Sequence, residues 1–305
     1  SPVSPLGQVP YVKSKFATDI ALPTNMPVDP NKKQLPENEE RPMHPIYRYA
    51  FFTDRFEGLI GSDVTTFIDG NPRNNFIERD VTFNPGGELT GAEAITLAGH
   101  VAYISVKDSI KVVDLNNPLK PKIVNEIKGL SNPNRVAIQF RYGFVVDDQG
   151  LKVIDVTFPE KARLIKGASI YLKEAYDVYV ARTYAYVAGG KSGLIIVDVK
   201  NPEKPKIAQK FTANGVMNDV RGVKVGSSSS SLFAMVADGI NGLRVVQLRS
   251  PGDDEKGVGH FGFSPVPQPK LIATKKLSGK AITVSKGLDR DRAIDETGNQ
   301  VSVFG

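Results

Sequence analysis

Ala175-Tyr-Asp-Val-Tyr-Val-Ala-Arg-Thr-Tyr-Ala-Tyr-Val-Ala-Gly-Gly-Lys-Ser-Gly-Leu-Ile-Ile-Val-Asp-Val-Lys-Asn-Pro202 is the stretch whose reading decides the fold. β-branched and aromatic residues fill short runs, and Gly, Asn, Asp and Pro separate them, which is the signature of consecutive strands joined by tight turns. Together with Glu203-Lys-Pro-Lys-Ile207, the stretch predicts four strands, at 178–181, 184–188, 194–199 and 205–211. No apolar spacing of three and four residues persists, so helix is not expected.

The unit recurs on both sides. Ala92 to Ile104 aligns without a gap on Ala175 to Val187, and continues through Ile110-Lys-Val-Val-Asp-Leu115 and Asn117-Pro118. Other copies contain Tyr142-Gly-Phe-Val-Val146 with Leu151-Lys-Val-Ile-Asp-Val156, and Leu232-Phe-Ala-Met-Val236 with Leu243-Arg-Val-Val-Gln-Leu248. The first copy holds residues 47–53 and 58–64, and the last is degenerate, with residues 281–284 and 301–304. The anchor closing the third strand falls at Asp63, Asp114, Asp155, Asp198, Gln247 and Gly305, at intervals of 41–58 residues. Four strands in roughly 40–50 residues is the length of a propeller blade. The expected fold is therefore all-β, a β-propeller of six four-stranded blades, or seven if the N-terminal segment supplies more than one strand. Radial repetition of this kind shelters sheet edges.

Leu194-Ile-Ile-Val-Asp198, Leu151-Lys-Val-Ile-Asp155 and Ile110-Lys-Val-Val-Asp114 resemble the LVIVD repeat. The resemblance covers roughly residues 47–305. It is strong in the second to fourth copies, weaker in the first, where Gly61-Ser62 interrupts the apolar run, and in the fifth, where Gln247 replaces Asp; in the sixth it nearly vanishes. It implies a β-propeller in a secreted or surface protein of a bacterium or archaeon, some of which accompany multihaem cytochromes. The family has no single assigned chemistry.

Residues 1–45 are different. They hold nine of the 21 prolines and one glycine, a density that no helix survives. The reading is a Pro-rich extended arm, 1–45, with one short strand within 11–21, preceding a propeller domain at 46–305. A linker from a longer precursor is the alternative; the apolar runs at 9–12 and 46–52 favour an arm wrapped on the body. The chain begins Ser-Pro-Val without Met, so a processed or trimmed start is expected.

Composition bounds the chemistry. The 305 residues contain no Cys and no Trp, 40% hydrophobic and 24% charged residues, and a net charge of +6. Disulfides, thiolate metal sites and a thiol nucleophile are excluded within the chain. No apolar run reaches the length of a membrane span. The lysines are scattered, and no basic cluster interleaved with aromatics marks a nucleic-acid binder.

Most repeated residues read as structure. An Asp before an Asn-Pro turn accepts backbone N–H groups there, and equivalent copies in several blades cannot all be catalytic. Tyr103, Phe144, Tyr186 and Phe233 recur in register and are expected to pack between blades. Gly189-Gly-Lys-Ser192 has the ending of a P-loop, but Ala185 stands where its first Gly belongs and a strand follows, so it is a hairpin turn. His44, His100 and His260 are far apart in sequence and form no metal spacing. The acidic run Asp289-Arg-Asp-Arg-Ala-Ile-Asp-Glu296 fails the calcium-loop pattern and is expected to be a charged loop. Asp147-Asp148 and Asp253-Asp254-Glu255 are expected to be solvated acidic turns.

The first strand of each blade lines the channel of a propeller. Alignment places Glu93, Tyr176, Arg221 and Lys280 at one position and Arg135 and Asp177 at the next, so these six are the channel-rim candidates. Residues 249–268 lengthen the fifth copy, and His260, Phe261 and Phe263 are the interface candidates, because loops that break a repeat carry partner contacts. No metal, cofactor or catalytic residue is assigned. The expectation is a non-catalytic interaction scaffold at the cell surface, extracellular or periplasmic, whose partner is a protein such as a multihaem cytochrome complex or filament subunit, with neither nucleic acid nor a membrane span. The alternative is an enzyme or ligand binder using the channel mouth, with Arg135, Asp177 and Arg221 orienting an anionic or metal-bound substrate. A polysaccharide-binding adhesin comes third, disfavoured by the absence of Trp.

Overall fold

The computed structural model describes residues 11–23, 44–67, 74–228, 231–253, 264–285, 293–294 and 300–301. The chain divides into two compact units, Ser1–Ile127 with Leu288–Gly305, and Lys128–Gly287. Among the described residues there are five four-stranded antiparallel sheets, each built from four strands consecutive in sequence.

The first unit holds two of them. The first sheet is β1 (Ala17–Ala21), β2 (Tyr49–Asp54), β3 (Gly58–Asp63) and β4 (Glu78–Phe83). The second is β5 (Ala92–Ala98), β6 (Val101–Val106), β7 (Ser109–Asp114) and β8 (Lys122–Ile127). Phe51, Leu59, Leu89, Ile95, Ile104 and Val113 form the core between them. β1 lies within the stretch where the sequence predicts a strand, and it pairs with β2. It therefore completes the first sheet.

The second unit holds three sheets. They are β9 (Arg135–Gln139), β10 (Tyr142–Asp147), β11 (Gly150–Asp155) and β12 (Arg163–Tyr171); β13 (Val178–Ala181), β14 (Tyr184–Ala188), β15 (Leu194–Asp198) and β16 (Lys206–Phe211); and β17 (Gly222–Ser228), β18 (Ser231–Ala237), β19 (Leu243–Arg249) and β20 (Lys270–Lys275). The middle sheet explains the continuous apolar run of the repeat. Ile195 and Val197 join the core shared with the preceding sheet, and Leu194 and Ile196 join the core shared with the following one. Alternate side chains of a strand point to opposite faces, so a strand sandwiched between two sheets needs apolar residues at every position.

The same devices recur in every sheet. The register shifts between the third and fourth strands of all five, and such bulges increase local twist. Asp63, Asp114, Asp155 and Asp198 each accept a backbone N–H two residues on, from Thr65, Asn116, Thr157 and Lys200, at 2.8–3.0 Å. This is the turn-capping role read from the repeats. Tyr103, Phe144 and Tyr186 are fully buried, and Phe233 is half-buried.

Of the sixth copy, Ala281 forms a single bridge with Gly239, and β21 (Ala293–Ile294) pairs with β22 (Gln300–Val301). Most of the acidic run at 289–296 lies outside the described residues, as do residues 302–305.

Candidate functional site

The approach to the first strand is the polar end of each sheet in the second unit. Asp177, immediately before β13, is 4% exposed. Its Oδ1 accepts the Val178 N–H at 2.9 Å and lies 3.5 Å from Arg135 Nε on β9. Its Oδ2 accepts the Val223 N–H at 3.0 Å and Lys224 Nζ at 3.1 Å, both on β17. One carboxylate thus ties the first strands of three neighbouring sheets. Asn134 adds a parallel tie, its Nδ2 donating to the Ala175 carbonyl at 2.8 Å.

Tyr176 and Arg221 meet beside it. The guanidinium carbon sits 4.1 Å from the Tyr176 ring centroid, a cation–π contact. Arg221 Nε donates to Asp219 Oδ1 at 2.6 Å, and Tyr176 Oη donates to Glu174 Oε1 at 3.0 Å. Burial and that Glu174 bond push the Tyr176 phenol above its usual range. Glu174 Oε2 also accepts the Lys191 N–H at 2.9 Å, which anchors the turn between β14 and β15.

The sequence reading missed a second repeated element. Asp147 and Asp238 are fully buried, so Asp147 is no solvated turn residue. Asp147 accepts the Ser131 N–H at 2.9 Å and pairs with Lys152 at 2.7 Å. Asp238 accepts the Asp219 N–H at 2.9 Å and pairs with Arg244 at 3.0 Å. Each links the turn between the second and third strands to the segment entering the first. In the first unit, Asp54 accepts the Phe16 N–H at 2.6 Å in the same manner. Burial alone would raise the Asp54 carboxyl; hydrogen bonds from Ser14 Oγ and the Phe16, Glu57 and Phe56 N–H groups overcome it and hold it at about 2. The signal was present in the alignment: an Asp precedes the turn glycine by three or four residues in all three cases, and in the second unit a cation, Lys152 or Arg244, follows that glycine by two.

The other candidates fall elsewhere. Glu93 pairs with Arg55 at 2.7 Å, within the first unit. Lys280 is exposed. His260, Phe261 and Phe263 lie outside the described residues. His44 and His100, distant in sequence, stack with centroids 5.6 Å apart, and His44 Nε2 lies 3.0 Å from Asn116 Oδ1. A shallow cleft of about 480 Å³, bordered by Lys210, Phe211, Asn214 and Lys270, shares no residue with the Asp177 network. Chemically, that network is a set of neutralised pairs. Both oxygens of the Asp177 carboxylate are already engaged, by two cations and two N–H groups.

Residues 173–213 match the family model for the LVIVD repeat. No curated protein matches the chain. Among solved structures, the β-propeller domain of Cps50 (Swd1) from Myceliophteria thermophila is similar, with TM-score 0.56 and 9% identity over 87% of this chain and 74% of that one. The computationally designed Ika8 protein has TM-score 0.52 and 9% identity over 92% of this chain and 68% of that one. Hsv2p of Kluyveromyces lactis has TM-score 0.46 and 10% identity over 77% of this chain, which spans 63% of that protein's length. Identities this low speak to fold alone. Among the described residues, no helix is long and apolar enough to cross a membrane. The four-stranded sheets and the likeness to the Cps50 domain are those of a β-propeller, and residues 173–213 within it match the LVIVD repeat.

Proposed function

We propose that the protein is a non-catalytic scaffold that displays the loops between its strands to a protein partner on the outside of a prokaryotic cell. One observation carries this reading. The charged groups at the entrances to the first strands, which a mouth-centred active site would use, are spent on holding strands together: Asp177 alone binds Arg135, Lys224 and two backbone N–H groups. Propellers commonly serve as rigid interaction platforms, and the LVIVD resemblance supports a secreted or surface setting. A multihaem cytochrome complex or an extracellular filament is the partner class this implies, with residues 249–268 as contact.

A second reading rests on Arg221. Its side chain is 36% exposed while stacked on Tyr176, so a small anion has a face to approach. Cross-linked isolation from the native source, with mass spectrometry of protein and metal, separates the two. The scaffold reading expects a stable protein complex cross-linked through loop residues. Recovery of the chain alone, carrying a stoichiometric small ligand or metal, overturns it.

A further inference from the structure

The turn between β9 and β10 carries an aromatic residue where the backbone disfavours one. Phe140 adopts φ 53° and is 88% exposed. The corresponding residue between β5 and β6 is Gly99, with φ 58°, and between β13 and β14 it is Arg182, also with φ 58°. A bulky side chain in the left-handed region is strained, and a ring so exposed recovers little by packing. Strain kept without internal compensation points to an external role.

Phe140 has a neighbour of the same kind. Phe158, in the loop between β11 and β12, is 60% exposed, and Lys161 Nζ lies 5.9 Å from its ring centroid. Both loops emerge at one end of the sheet, because Tyr142 pairs with Gln139 on one side and Asp155 on the other, and the Val156 N–H donates to the Arg141 carbonyl at 2.8 Å. The face continues onto the next sheet, where Tyr142 Oη donates to Glu203 Oε1 at 3.2 Å.

Cations outnumber carboxylates around these rings. Arg141, Lys161, Arg163, Arg182, Lys200 and Lys204 are all exposed at this end. Four carboxylates accompany them, and three are already engaged: Asp155 by Thr157 and Arg163, Asp198 by the Lys200 N–H, and Glu203 by Tyr142. We propose that this end of the β9–β12 and β13–β16 sheets docks an acidic peptide segment of a partner protein, its carboxylates on the cations and its apolar side chains on Phe140 and Phe158. This rests on the scaffold reading and names the chemistry of one contact. Aromatic anchors framed by charge are the usual composition of an interaction hot spot.

The test is fluorescence anisotropy with a labelled random copolymer of glutamate and tyrosine, alongside poly-glutamate and heparin. The copolymer is expected to bind more tightly than poly-glutamate, and to weaken as ionic strength rises from about 50 to about 300 mM. Phe140→Gly, which relieves the backbone, is expected to weaken copolymer binding at least about fivefold while leaving thermal stability equal or higher. Lys161→Glu with Arg163→Glu is expected to do the same. Lys191→Glu, half that charge change and at the opposite end of its sheet, is expected to leave binding unchanged. No binding, equal binding of all three polymers, or binding indifferent to Phe140→Gly overturns the proposal. A native complex cross-linked only through other loops also overturns it, and leaves the scaffold reading standing.

Discussion

A Cβ on Gly189 would lie 2.5 Å from Ile195 Cδ1, so the isoleucine fills the space that a side chain at 189 would need. The two residues occupy the places of the Asp238–Arg244 pair one sheet later: the Gly189 N–H donates to the Gly193 carbonyl as the Asp238 N–H does to Gly242. A buried ion pair has been replaced by glycine and an aliphatic residue together. Gly189→Asp should therefore cost more than about 3 kcal/mol in urea denaturation, because it buries an unpaired carboxylate against a methyl group. Adding Ile195→Arg should restore about half of that loss. If the double variant is no more stable than the single one, the two positions are not coupled.

Asp177 makes a complementary case. Asp177→Ala leaves Arg135 and Lys224 facing each other without their shared carboxylate, and orphans the Val178 and Val223 N–H groups. The expected loss is about 3 kcal/mol. Lys224→Met in the Asp177→Ala background should recover part of it. A thermal-melt double-mutant cycle reads the coupling directly.

Asp54 sets an acid limit on stability. Its carboxyl is held at about 2 in the folded protein, against 3.8 for the free group. The stabilisation is fully present above the free value and is lost as pH falls from about 4 towards 2, where the carboxyl protonates in both states. The loss is about 2 kcal/mol. Asp54→Asn should be less stable at neutral pH and should flatten this acid limb. Urea midpoints at about pH 2.5, 4 and 7 would show it.

The turn glycines should be intolerant in proportion to their surroundings. A Cβ on Gly193, at φ 74°, would meet the Phe211 carbonyl oxygen at 2.2 Å, so backbone must move. Gly193→Ala is expected to cost at least about 2 kcal/mol. Gly226 has no atom within 4 Å of such a Cβ and no positive φ, and Gly226→Ala should be neutral or gain up to about 1 kcal/mol. Comparing the two melting temperatures isolates the steric contribution.

Some of this was legible in the residues and some was not. The repeat from Ala175 onward gives strands at 178–181 and 184–188, which the structure reproduces, because β-branched runs and turn residues act over a few neighbours. The capping of Asp198 on Lys200 is equally local. The burial of Asp147 was missed because it depends on the Ser131 segment folding over it, although its Lys152 partner lies across the same hairpin. The stacking of His44 on His100 was unreadable for the same reason: residues 56 apart in sequence meet only once two loops are placed.

The sequence by itself determined the strand order, the turn chemistry and the two-sided apolar character of strands such as β15, since each follows from periods and propensities along the chain. Tertiary structure alone decided which charges are consumed and which are displayed. Asp177 and Arg221 stand side by side as rim candidates in the sequence; one is buried among three first strands and the other keeps an exposed face. That difference arises from the packing of sheet against sheet, which sets how much water each charge keeps.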